Sequence, residues 1–332
     1  MSILPWDKVV AQLNRSQRVV LGTHASPDGD ALGSELGLSR FLRSRGKTVH
    51  ILNTGTLPRM YEWLPKPGEV ETYRADLHDK VIAEADTIVV VDISNWERLG
   101  LMHQPVMKSP AVRIDLDHHP VPHCPADLSI NDPSAAAVGD IIHRLIHHCG
   151  GTVTAEIALP LYVSLLTDTG SFKYSNTDIH SHRLAGEFIA LGVAPYDVYT
   201  RIYECATPAR LKLLGETLAR LQFEPEARLA WTSIPHALYA ATGTREEDSE
   251  GIIDQVRTLE AAETAILFKE PEPGTVKVSM RSKGVVDVNV LARGFGGGGH
   301  ARAAGMTLQI PLEEAIRKVL AAARASSAAH AP

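Results

Sequence analysis

The 332-residue sequence predicts a two-domain α/β protein: a larger N-terminal domain with a mainly parallel sheet flanked by helices, a helical connector, and a smaller C-terminal α/β domain. Three observations carry this prediction. Through the first half, short apolar or β-branched runs alternate with longer segments of helical period, the pattern of strands joined by crossover helices. From about residue 178 the pattern becomes helical, and strands return near 223. The length also exceeds one usual core, since domains hold roughly 100 to 200 residues.

The elements follow in order. "RVVLGT" (18–23) reads as a strand and "ALGSELGLSRFLRSRG" (31–46) as a helix, with Leu32, Leu36 and the Phe41/Leu42 pair at helical spacing. Gly33 and Gly37 are expected to let that helix pack closely on the sheet, and Gly46 to end it. "KTVHIL", "DTIVVVD" and "AVRIDL" read as further strands, "SAAAVGDIIHRLIHHCG" as a helix, and the apolar run in "LYVSLLTDTGSF" as one more strand. "TPARLKLLGETLARL" reads as a connecting helix opening at Thr207, with Pro208 in its first turn. Strand "RLAWTSI", helix "SEGIIDQVRTLE", strand "ETAILFKE", turn "PEPG", strand "TVKVSMRS", a helix and a glycine cluster make the second domain. The boundaries are 1–195, a connector at 196–222, 223–325, and a disordered tail at 326–332.

Composition limits the function. Hydrophobic residues make up 44% and charged residues 22%, and no apolar run approaches the roughly 20 residues of a membrane span. The first residues lack a signal-peptide pattern, so a cytoplasmic protein without a membrane partner is expected. Cys124, Cys149 and Cys205 lie far apart and suggest neither a disulfide framework nor a cysteine zinc site. A net charge of -6 argues against long nucleic acid as the main partner.

The segment "HASPDGD" (24–30) sets a histidine and two aspartates directly after a strand. It lacks the GxxxxGK[ST] of a phosphate loop and the later acidic positions of an EF-hand. Alone, it reads equally as a solvated turn, so partners decide. "IVVVDIS" delivers Asp92; "VRIDLDHHP" delivers Asp115, Asp117, His118 and His119; "LYVSLLTDTGSF" delivers Asp168. One aspartate ending a strand is usually a cap or turn residue, but strand ends in one sheet converge. His24, Asp28, Asp30, Asp92, His118 and Asp168 would then surround one crevice. That oxygen and imidazole set, without cysteine, suits Mn²⁺ or Mg²⁺. Two cations sharing a carboxylate would use all of it and activate a water for phosphoryl chemistry.

These motifs resemble the DHH phosphoesterase family, named for the triplet at 117–119. "HASPDGD", "VVDIS", "LDHHP", "NDPSAAAVG" and "LLTDTGSF", then "SMRS" with "FGGGGHARAAG", recur in the family's order, the last two being the mark of a DHH-associated domain. Domain content is similar to that of the subgroup that both degrades very short RNA and removes a phosphate from 3'-phosphoadenosine 5'-phosphate. The resemblance implies two Mn²⁺ ions, with Mg²⁺ or Co²⁺ as substitutes: His24 and Asp28 on one, Asp30, His118 and Asp168 on the other, and Asp92 bridging. It also implies catalytic roles for His119, facing the scissile phosphate, and for Asp117, orienting a histidine. Arg281, Ser282, Gly297, Gly298, Gly299 and His300 would bind the substrate's phosphate end, with consecutive glycines letting backbone N–H groups come close. Short RNA oligonucleotides or small phosphorylated nucleotides are the implied partners, and a homodimer the implied assembly. Cyclic or linear dinucleotides (cyclic di-AMP, pApA, pGpG) are the alternative substrates, and a noncatalytic nucleotide-binding regulator the rival of another class.

Other features are weighed more lightly. His143 and His147, at i and i+4, have metal-ligand spacing but no evident third ligand, and read as helix surface. Trp63 and Trp96 read as packing rather than base stacking. His180 and His182 are expected at the start of a helix after Asp178, and Asn131 and Ser134 as substrate contacts.

Overall fold

The computed structural model describes residues 4–93, 95–119 and 125–328, so Cys124 and residues 329–332 lie outside it. The chain divides into two compact units between Cys205 and Ala206. The first contains α1 (Trp6–Arg15), β1 (Arg18–Gly22), α2 (Gly29–Ser44), β2 (Thr48–Asn53), β3 (Val70–Thr72), α3 (Ala75–Ala83), β4 (Thr87–Val91), α4 (His103–Lys108), β5 (Val112–Asp117), β6 (Leu128–Asn131), α5 (Val138–His148), α6 (Ala155–Asp168), α7 (Ile179–Ala190) and α8 (Pro195–Tyr203). The second contains α9 (Pro208–Leu218), β7 (Gln222–Glu224), β8 (Leu229–Ile234), α10 (His236–Thr242), α11 (Ile252–Arg257), β9 (Thr264–Glu272), β10 (Thr275–Ser282), α12 (Val288–Arg293), β11 (Gly298–His300), β12 (Ala303–Leu308) and α13 (Leu312–Ala328).

In the first unit six parallel strands run β3-β2-β1-β4-β5-β6. A strand covered on both faces needs apolar residues at every position, and all five residues of β4 are buried. Val89 and Val91 join the core that also holds Leu32 and Leu36 of α2, Ile141 of α5 and Leu161 of α6. Ile88 and Val90 join the opposite core with Ile82 of α3 and Val106 of α4. The strand order reverses between β1 and β4, which opens a crevice at their carboxyl ends.

Two expectations need correction here. Gly29, Gly33 and Gly37 form a stripe one turn apart that packs on α6, not on the sheet: a Cβ at Gly33 would lie 2.3 Å from the Pro160 carbonyl oxygen, and one at Gly37 2.5 Å from Leu161 Cδ2. The run containing Asp168 is helix α6, not a strand. Its residues Ile157 to Leu166 are buried almost without a break, and such a run has no period by which helix and strand can be told apart. Pro160 sits inside this helix and cannot donate to the Glu156 carbonyl. Arg40 Nη1 of α2 donates there instead, at 2.8 Å.

The second unit has a mixed sheet, β11-β12-β10-β9-β8-β7, in which β8 and β9 are parallel and the remaining pairs antiparallel. Phe268 and Ile266 face a core with α12 and α13, while Leu267 and Ala265 face one with α9, α10 and α11. Residues 326–328, expected to be disordered, continue α13, and the rest of that tail lies outside the described residues. Helix α9 is capped by the Thr207 hydroxyl, which accepts from Arg210 N at 3.1 Å. The segment 196–222 is not one connector: α8 belongs to the first unit and α9 to the second.

Candidate metal centre

The carboxyl ends of β1, β4 and β5 and the first turn of α2 bring His24, Asp28, Asp30, Asp92 and His118 together. Ligand atoms of His24, Asp28 and Asp92 all lie within 4.8 Å of one another, and so do those of Asp30, Asp92 and His118. Asp92 belongs to both groups. Asp168, at the end of α6, joins through Oδ2, 3.8 Å from His118 Nε2.

Local structure fixes each side chain. Asp28 caps α2, its Oδ1 accepting from the amides of Asp30 and Ala31 at 3.1 Å each. Asp30 in the next turn is held from the other side: Oδ1 accepts from Ser164 Oγ at 2.6 Å, and Oδ2 from Val138 N at 2.8 Å, at the start of α5. His118 Nδ1 sits 3.1 Å from the Ala135 carbonyl, so that nitrogen carries a proton and Nε2 faces Asp30, Asp92 and Asp168, where a cation could replace the second proton. Asp117 Oδ1 accepts from the backbone N–H of His118 at 2.8 Å and of His119 at 3.1 Å, and from His119 Nδ1 at 2.8 Å. Asp92 itself has φ 53, left-handed backbone that an aspartate adopts at a cost of order 1 kcal/mol.

The electrostatics are those of a site with too many carboxylates for its own cations. Burial, then Asp92 and Asp168, raises the Asp30 carboxyl well above the ordinary range despite the opposing His118 charge and Ser164 hydrogen bond. Burial likewise pushes Asp168 up to about 6. Burial alone would also raise Asp92, but its hydrogen bond to His24 and the charges of His119, His24 and His118 lower it instead. Burial would discharge His118, yet Asp168, Asp30 and Asp92 push it up to about 10. Protons thus do the work that divalent cations would do with the same oxygen and imidazole donors, so the donor set fits such ions. His24, Asp28, Asp30, Asp92, His118 and Asp168 could hold them.

The remaining expected residues are placed as follows. His119 lies beside the cluster, with Nδ1 3.5 Å from Asp92 Oδ1. Asn131 Nδ2 donates to the His119 carbonyl at 2.9 Å, and Ser134 Oγ donates to Asp132 at 2.5 Å. Trp96 is buried and donates to Asp115 at 3.3 Å. Asp178 caps α7, with His180 and His182 in its first turn. Arg281, Ser282, Gly297 to Gly299 and His300 lie in the second unit. Ser282 is buried, donating to Glu263 Oε1 at 3.0 Å and accepting from Gly284 N at 2.9 Å, so its hydroxyl is spent on the loop. Gly297 and Gly299 face their own sheet: a Cβ would lie 2.3 Å from the Gly305 carbonyl oxygen and 2.5 Å from that of Ala303, respectively. Close approach to β12 therefore requires glycine there, whatever else binds.

Sequence reasoning missed Ser164, the Val138 amide and Asn176, whose Nδ2 donates to the Asp168 carbonyl at 3.1 Å and to the Ala136 carbonyl at 2.9 Å. A hydroxyl in the apolar run of α6 was the one available signal. A cleft of about 270 Å³ is lined by Pro27, Asn53, Leu57, Lys66 and Glu71, near the ends of β2 and β3, and none of the six candidate ligands lines it.

Comparison with known proteins identifies both domains. Residues 18–167 match the DHH family N-terminal domain, and residues 235–327 the DHHA1 domain. The chain is 34% identical to the bifunctional oligoribonuclease and PAP phosphatase NrnA of Thermus thermophilus, covering 96% of this chain and 94% of that one. It is 27% identical to the protein of the same name from Bacillus subtilis, over 91% of this chain and 92% of that one. An exopolyphosphatase-related protein from Bacteroides fragilis has a similar structure, with a TM-score of 0.90 at 28% identity over 98% of this chain and 96% of that one.

Proposed function

The chain belongs to the DHH family of metal-dependent phosphoesterases, and from that premise we propose that it hydrolyses short nucleotides: oligoribonucleotides of a few residues, 3'-phosphoadenosine 5'-phosphate, or both. The observation that carries the reading is the pair of ligand groups sharing Asp92. His24, Asp28 and Asp92 would hold one divalent cation; Asp30, Asp92, His118 and Asp168 would hold the other. When bound, such ions neutralise phosphoryl oxygens and make water a competent nucleophile near neutral pH.

The protein's own groups do the rest. Asp117 fixes the His119 ring by binding Nδ1, which leaves Nε2 to give a proton to the leaving oxygen. Ser164 and the Val138 amide hold Asp30 so that it does not swing away when the charge on the site changes. Arg281, which is 3.6 Å from Asp254, can exchange that weak pairing for a bidentate grip on a terminal phosphate, with His300 and the Gly298 backbone as further donors. Manganese as the ion and a homodimeric assembly are proposed on family resemblance, and a cytoplasmic location on the composition of the sequence. Among the described residues no helix is long and apolar enough to cross a membrane.

The test is a hydrolysis panel with added Mn²⁺, comparing dinucleotides, longer RNA, 3'-phosphoadenosine 5'-phosphate and cyclic dinucleotides. Dinucleotides or the bisphosphate should turn over fastest, and Asp92→Ala should lose at least about a hundredfold in kcat. Preference for a cyclic dinucleotide would move the substrate assignment. No turnover at all would mean a nucleotide-binding regulator, and full activity in Asp92→Ala would refute the site.

A further inference from the structure

The seam between α5 and α7 holds ligating side chains that the chemistry above does not use. His143 and His147 stand one turn apart on α5, and their Nε2 atoms face each other at 3.2 Å. From α7, Glu187 brings Oε2 to 3.3 Å from the same His143 Nε2. The third donor that the sequence could not supply thus comes from a helix 40 or so positions further on.

These separations have a chemical meaning. Two imidazole nitrogens that face each other cannot both carry a proton on the facing edge, so at least one offers its lone pair. Burial, and then neighbouring His147, lowers the proton affinity of His143 and keeps it in the neutral, ligating form. A zinc-like ion with nitrogen and oxygen ligands at about 2.0 to 2.2 Å in tetrahedral array holds neighbouring donors roughly 3.3 Å apart. Both recorded separations, each measured to His143 Nε2, match that edge; His147 and Glu187 stand farther apart than one ion allows, so Glu187 has to turn toward His147 to complete the array. The neighbouring groups are otherwise engaged: His180 with Asp140 at 3.0 Å, and Arg144 with Asp132 at 2.8 Å. Glu187, more than half exposed, keeps the freedom to close on an ion.

We propose that His143, His147 and Glu187 form a second binding site, for one transition-metal cation of the zinc class, which clips α7 to α5. The site is separate from the Asp92 centre and independent of the substrate assignment. It differs in kind as well, being imidazole-rich where the other is carboxylate-rich, and so favours zinc, cobalt or nickel over manganese or magnesium.

The experiment uses the full chain, stripped with a chelator and titrated with Zn²⁺ against a chromophoric competitor. The wild-type protein should bind about one equivalent more per chain than His147→Ala, and Glu187→Gln should retain that equivalent with about tenfold or more weaker affinity. Mn²⁺-supported hydrolysis should be the same in all three, which shows that the Asp92 centre and the fold are intact. Reloading with Co²⁺ should give the visible bands of a tetrahedral site in the wild type and lose them in His147→Ala. Equal zinc equivalents and equal affinity in all three proteins would overturn the proposal, leaving a hydrogen-bonded histidine pair beside an ion pair. If His147→Ala loses hydrolysis through misfolding, the exposed Glu187→Gln variant decides by its zinc affinity alone.

Discussion

Glu35, in the middle of α2, is fully buried, yet only one of its oxygens has a partner among the described residues: Oε2 accepts from Asn53 Nδ2 at 2.8 Å. Burial, aided by the negative charge of Asp92 and opposed by the Asn53 bond, pushes this carboxyl up to about 8. The folded protein therefore keeps a proton that the unfolded chain releases near pH 4.3. Unfolding sheds that proton across the window from about 4.5 to 8, so stability falls as pH rises through it and levels off above. Glu35→Gln, which copies the neutral form, should remove the slope. We expect near-equal stability at pH 4 and a gain of roughly 3 to 5 kcal/mol for the variant at pH 9, read by urea denaturation in the presence of a chelator. Parallel pH profiles for the two proteins would show that Glu35 is ionised in the fold.

At the level of elements, the seam of α2 and α6 places the chemistry. Because Gly29, Gly33 and Gly37 let the two helices approach, Ser164 of α6 reaches Asp30 of α2 at 2.6 Å. A methyl at Gly33 would meet the Pro160 carbonyl and the Ser164 backbone, neither of which can turn aside. Gly33→Ala should cost about 1 to 3 kcal/mol of stability and lower metal affinity with it, whereas Gly186→Ala, on α7 with open space around it, should cost nothing. Equal melting temperatures for the two variants would show that the seam is not tight. The same seam marks what a sequence can and cannot tell. Strands β1, β4 and β5 and the ligands at their ends were legible because a buried parallel strand is a short apolar run that stops at a polar residue. Helix α6 was not, since burial on every side erases the period that distinguishes a helix. Short, partly exposed β3 and β6 carried too little pattern to read. The groups that hold Asp30 and Asp168 escaped because a backbone amide and an asparagine on a loop acquire their roles only when remote segments meet.

Over the whole molecule, each unit has its own sheet with a core on either face, and His24, Asp28, Asp30, Asp92, His118 and Asp168 all belong to the first unit. Ligand binding stabilises only the structure that contains the site. Calorimetry should accordingly resolve two transitions, of which added Mn²⁺ raises one, by about 2.7 kcal/mol at a hundred times its Kd, and leaves the other in place. A single transition, or a shift in both, would show that the units unfold as one. The buried Arg40–Glu69 pair, bidentate at 3.1 and 2.8 Å, belongs to the unit that should respond. One small feature within that unit bears on how related chains are to be judged. Asp117 is fully buried, and one of its oxygens closes the turn that carries both histidines by accepting from three N–H groups at once. A descendant that had abandoned hydrolysis would still need this turn to fold, and would have reason to keep Asp117, whose two backbone donors any residue can supply. Asp117, the first letter of the triplet, is thus poor testimony for catalysis. Asp92, Asp168 and the His118 side chain, which the fold could more readily spare, are the better witnesses.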